Sequence, residues 1–167
     1  GAQTRGSAHH MNQLESLTAF ITENLPSDAM QFFMSSQEDA QLIRSQKALG
    51  NDQIRMGVMT YTGVIAWDNF PFRKYSPGLV YALVMAWLEE HADPLREEFR
   101  PEDVNVDPQF NDEDSCLLDI TVGLADPLII RVQEDGPVPY RGKRWTLVNP
   151  EIWTAETMDL FVSRSRE

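Results

Sequence analysis

Apolar residues recur every three or four positions at the start of the chain. Leu14, Leu17, Ile21 and Leu25 fall on one face, with Phe20 beside them, the pattern of a helix that buries one stripe. Asn12 suits the cap, Glu15 follows three residues later and Pro26 marks the end, so the spacing predicts a helix between them. Residues 27 to 50 carry apolar mass at Met30, Phe32, Phe33 and Met34 without a clean period, and Ala40 to Ala48 fits helix or strand. From Gln53 to Trp67, Ile54, Met56, Val58, Val64, Ile65 and Trp67 stand among Thr and Tyr, a strand pattern. Gly57 and Gly63 interrupt it as candidate bulges. A loop over residues 68 to 75 leads to Ser76-Pro77, a cap followed by proline at the first helical position. Leu79, Val80, Leu83, Val84, Trp87 and Leu88 then make the broad stripe of a second helix.

The polar stretch from His91 to Asp114 reads as a long connection with a helical turn near Pro94 to Phe99. Alternation returns at Cys116, Leu118, Ile120, Val122 and Leu124, one face of a strand. Asp126-Pro127 is turn chemistry, so residues 116 to 124 and 128 to 133 are expected to pair as an antiparallel hairpin. Glu134-Asp135-Gly136 closes it, Tyr140 to Val148 suits a further strand, and Pro150 to Glu167 reads as a short helix or an extended tail. The order predicts an α+β fold: a small single domain over residues 11 to 149, with a largely antiparallel or mixed sheet packed against two main α-helices.

Composition narrows the classes. Residues 1 to 10 are small, polar and end in His9-His10 before Met11, and read as an expression remnant. The 14 basic and 26 acidic residues give a formal charge of -12. Without Arg5 the balance is 13 against 26, or -13. Basic residues are scattered, which argues against sequence-specific nucleic-acid binding. Their one local cluster, Arg141, Lys143 and Arg144 between Tyr140 and Trp145, reads as a charged turn on a solvated hairpin. The longest apolar run, Leu79 to Leu88, is too short to span a bilayer. The single cysteine, Cys116, excludes an internal disulfide and suits a reducing compartment.

Little in the chain suits catalysis. Outside the leader the only histidine is His91, placed to complement a helix dipole. No nucleophile elbow, phosphate loop or dinucleotide fingerprint occurs, and Cys116 reads as a buried structural thiol. Asp103, Asn105 and Asp107, with Asp114 at the twelfth position, space oxygens as a calcium loop does. Pro108 replaces the required glycine and Asp the bidentate Glu, so a calcium-dependent module is a minor alternative. No metal, cofactor or enzymatic activity is expected.

The helix Tyr81 to Pro94, with its Trp87-Leu88 pair, polar run and proline, resembles that of the phage tail completion protein R (GpR) family. So do the acidic approach and strand from Asn111 to Leu124, the segment Leu128 to Gly136, and the opening from Leu14 to Pro26. The resemblance implies a tail-terminator-like protein of contractile-tailed phages. Such a protein assembles in the host bacterial cytoplasm, caps the head-proximal end of the tail tube in the virion and prepares it for head joining. It further implies self-association into a ring, a hexamer by the terminator likeness, and contacts with tail tube, sheath or neck proteins. A phage neck or baseplate adaptor is the neighbouring alternative. A ring needs two different contact surfaces, and aromatics outside the core pattern suit them. Trp67, Phe70, Phe72 and Tyr75 form one candidate set, and Trp145 with Trp153 the other. A strongly acidic ring would also repel the phosphates of passing DNA.

Overall fold

The structure, a computed structural model, describes residues 12–31, 33–99, 103–110 and 113–148. The leader 1–10 and the segment 150–167, Trp153 included, lie outside the described residues. The first helix, α1 (Gln13–Asn24), starts where capping chemistry places it. Asn12 Oδ1 accepts from Glu15 N at 2.7 Å and Asn12 N donates to Glu15 Oε1 at 3.2 Å, so two amides that no helical carbonyl can reach are satisfied. Leu14, Leu17, Ile21 and Leu25 are buried as the period requires, each worth about 2 kcal/mol as apolar surface removed from water. A 3-10 turn, Ser27–Ala29, follows.

Two 18-residue strands, β1 (Phe33–Gly50) and β2 (Gln53–Phe70), then form a long hairpin. Its two turn residues, Asn51 and Asp52, have φ of 51° and 59°, the positive values that tight hairpin turns need. This settles residues 40 to 48 as strand. Their side chains are mostly exposed, so burial leaves no periodic imprint on that sequence. β2 also runs past the expected end at Trp67, because the chain stays paired until Phe70 reaches Cys116. Gly57 lies beside irregular register in both of its ladders, and a Cβ there would stand 2.5 Å from the Ile43 carbonyl oxygen. Gly63 is no bulge: it pairs in register with Gln37 and Val122.

Helix α2 (Pro77–Glu90) is capped by Ser76 Oγ, which accepts from Gly78 N at 3.0 Å. Its stripe is narrower than expected, since Val80, Val84 and Trp87 are buried while Leu79 is 41% exposed. Trp87 Nε1 donates to Ser16 Oγ at 3.1 Å and ties α2 to α1. The short α3 (Leu95–Phe99) is followed by an element absent from the sequence expectation. This is β3 (Asn105–Phe110), an edge strand with every residue exposed.

The expected hairpin at Asp126-Pro127 is not formed. Residues Cys116–Val132 make one continuous strand, β4, because β2 offers it a partner along its length from Phe70 to Gln53, with shifts in register only near Gly57 and before Phe70. On its other side β4 pairs with β3 over residues 116–121 and with β6 over 130–132. Pro127 falls between those stretches, where a missing N–H breaks no second ladder. The strands β5 (Val138–Tyr140) and β6 (Lys143–Leu147) complete the sheet, turning through Arg141 and Gly142 with φ of 52° and 73°.

The sheet order is β1-β2-β4-β6-β5, with β3 beside β4. α1 and α2 share one core with β2 and β4, the α+β arrangement expected. The sheet curls, and its two edges meet: Gln46 on β1 donates to Tyr140 Oη and accepts from Arg141 Nη2. Under that closure sits a second cluster of Ile54, Ile130 and Trp145. α3 packs Leu95 against Val58 and Ala125 beside the stretch of β4 that β3 and β6 leave open.

Candidate interaction surface

The turn after β2 divides the expected aromatic set. Trp67 and Phe70 are fully buried. Trp67 lies 5.0 Å from the Phe33 ring and 5.8 Å edge-on from Phe70, so both belong to the core and not to a contact surface. The irregular register between Trp67 and Phe70 decides this: it brings two residues three positions apart to the same side of β2, into the core shared with α1 and α2. Phe72 and Tyr75, half-buried, remain at the surface. Trp145 is 4% exposed and donates from Nε1 to the Tyr140 carbonyl at 2.7 Å. It roofs the second cluster instead of offering itself to a partner.

The surface aromatics gain a neighbour that sequence reasoning missed. Phe110, 62% exposed at the end of β3, meets Phe72 edge-to-face at 4.9 Å and 79°. The Arg73 guanidinium lies 5.4 Å from the centre of the Phe72 ring, within reach of Asp114 at 3.7 Å and hydrogen-bonded to the Glu113 carbonyl. The turn is fixed from its other flank as well. Asp28 accepts from Tyr75 Oη at 2.9 Å and from Lys74 Nζ at 2.7 Å, and those two donors hold its carboxyl below the ordinary Asp range. An exposed ring set on a half-buried one and rimmed by charge is an arrangement found at protein contacts. The available signal was a lone Phe inside a polar stretch.

Among the described residues one acidic side chain is buried. Asp126, expected in a turn, is 2% exposed and accepts from Gln13 N at 3.0 Å and Tyr61 Oη at 2.5 Å. Tyr61 Oη in turn accepts from Leu14 N at 3.2 Å. Burial drives the Asp126 pKa up to about 7 and raises that of Tyr61 further above its ordinary value. Asp126 Oδ1 and Tyr61 Oη take the first two amides of α1 while Asp126 Oδ2 holds the Tyr61 hydroxyl, so the pair anchors a helix. Cys116 is buried and its thiol pKa is raised by burial, which disfavours the nucleophilic thiolate. His91 ends α2, with its ring 5.5 Å from that of Phe20. Asn105 and Asp107 belong to the extended β3, a backbone that cannot curl around calcium. Among the described residues no group of three or more His, Cys, Asp or Glu is placed to hold a metal ion, and no helix is long and apolar enough to cross a membrane.

The chain is a small α+β domain with a curled sheet under two helices, and comparison with known proteins makes it a structural component of a phage tail. Residues 11–150 match the P2 phage tail completion protein R (GpR) family, and the chain belongs to that family. It is also similar to an uncharacterized 19.2 kDa protein of Haemophilus phage HP1, with 27% identity over 153 residues, 92% of each chain. No solved structure matches it. The family places the protein in the virion tail, in contact with other tail proteins.

Proposed function

We propose that this chain completes the tail by capping the head-proximal end of the tail tube and preparing it for head joining. It acts as a structural subunit and not as an enzyme, and it closes into a ring on the tube, with six copies the number that the terminator likeness implies. The observation that carries this reading is the family match over residues 11–150. The Phe72–Phe110 pair, with Tyr75 behind it, supplies a contact surface toward tube, sheath or neck proteins. The buried polar groups, Asp126 and Tyr61, are engaged in holding α1, which suits a subunit that works by shape.

Phage lacking the gene are expected to build tails of wrong or uncontrolled length that fail to join heads, as seen by electron microscopy of lysates. Tails of normal length that join heads would refute the capping role. Imaging of the labelled protein on isolated tails separates the end from the baseplate, and label at the baseplate would favour an adaptor.

A further inference from the structure

Charge in this protein is separated lengthwise along the sheet. The end formed by the β1–β2 turn, the β5–β6 hairpin and the last residues of β4 carries six exposed bases: Arg44, Lys47, Arg131, Arg141, Lys143 and Arg144. Of the chain's 26 acidic residues, Asp52, Glu134 and Asp135 are the described ones in these segments, and Asp93 and Glu98, before and on α3, line a pocket with Lys47. None of the six bases forms a salt bridge with a described carboxylate, whereas Arg73, Lys74 and Arg96 elsewhere are each paired. One of these bases is held in place all the same, since Arg141 donates to Gln46 at 3.0 Å and covers the Tyr140 ring at 5.1 Å.

The other end of the same sheet has the opposite fault. Asp107 and Asp119 stand directly across from each other on β3 and β4, an arrangement in which like charges repel. Partial burial, then the charges of Asp107 and of Asp68, raise the pKa of Asp119 above the ordinary Asp value. These carboxylates do not converge as ligands of one metal ion. A cation suited to the row is therefore one spread over several positions, as guanidinium and ammonium groups on a protein surface are.

We propose that the basic end of the sheet in one copy docks on the Asp68, Asp107 and Asp119 row of the next, making the head-to-tail contact of the ring. This rests on the ring reading above. The two surfaces are opposite in sign and lie at opposite ends of β4, Asp119 and Arg131 being up to about 40 Å apart along an extended strand. They are therefore different patches, as a heterologous contact requires. A nucleic acid is the poorer occupant, because the acidic remainder of the chain repels its phosphates.

The test uses the full chain and tail tubes from phage lacking the gene. One variant reverses the basic end (Arg131→Glu, Lys143→Glu, Arg144→Glu), and the other reverses the acidic row (Asp68→Lys, Asp107→Lys). Thermal unfolding near that of the wild type checks that each folds. Each variant alone is expected to lose multi-copy binding to tube ends by roughly tenfold or more, and an equimolar mixture, in which opposite charges face each other again, to recover it to within about twofold. Undiminished binding by either folded variant overturns the proposal, as does a mixture that fails to recover. Loss with the basic-end variant alone assigns the surface to an acidic tail protein. Binding of wild type, but not of that variant, to duplex DNA assigns it to nucleic acid. Wild-type protein bound as one copy per tube end would instead sink the ring reading itself.

Discussion

At the N-terminus of α1 the protein buries a carboxylate where most helices leave their first amides to water. Asp126 and Tyr61 together take the amides of Gln13 and Leu14, which fixes α1 on the sheet at the cost of desolvating an acid. Burial raises the pKa of Asp126 from 3.8 to about 7. Between those values the native state keeps a proton that the unfolded chain has lost. Its stability is therefore full below about pH 4 and declines as pH rises toward 7, by on the order of 4 kcal/mol at about 1.4 kcal/mol per pKa unit. Asp126→Asn should flatten this slope, read from urea unfolding at pH 4.5 and 7.5; equal slopes in both proteins would contradict it. The aromatics divide in the same residue-by-residue way. Trp67→Ala should cost about 3–5 kcal/mol by emptying the core. Phe110→Ala should change stability by less than about 1 kcal/mol yet impair completion of tails, measured as infectious particles from a complemented deletion. The sequence offered the aromatics as one set; the end of β2 at Phe70 and the register shift just before it, neither of which the sequence pattern marks, separate Trp67 and Phe70 from Phe72 and Tyr75.

Among the elements, α1 meets the sheet more closely than a side chain would permit. A Cβ on Gly63 would lie 2.9 Å from Leu14 Cδ1 and 3.1 Å from Leu124 Cδ1, so the helix rests directly on the β2 backbone. Gly63→Val is expected to cost about 1–3 kcal/mol through overpacking, and unchanged unfolding by denaturant would show that α1 can ride outward freely. Both main helices were legible because cap and period agree at Asn12–Glu15 and at Ser76–Pro77. β4 was not: Asp-Pro is turn chemistry taken locally, and what overrides it is the long β2 partner together with the helix amides that satisfy Asp126. β3 left no trace because all of its side chains are exposed and a strand without a buried face has no alternation to read. The outer half of β1 was ambiguous for the same reason.

On the scale of the whole molecule, a formal charge of -12 conceals a polarity that composition cannot register, since it arises only when the β1–β2 turn, the end of β4 and the β5–β6 hairpin are brought together. The curl that gathers them has a further consequence. β1 is an outer strand of 18 residues, long enough to template the addition of a foreign strand. Yet its ladder with β2 breaks register between Glu38 and Gln41, again between Arg44 and Lys47, and once more before Gly50. The Gln46 clasp brings Tyr140 and Arg141 against it in the middle of that stretch. An incoming strand would find neither a straight row of amides nor room beside them. Strand addition along the outer half of β1 is thereby disfavoured, which leaves side chains, not backbone, to make contacts there.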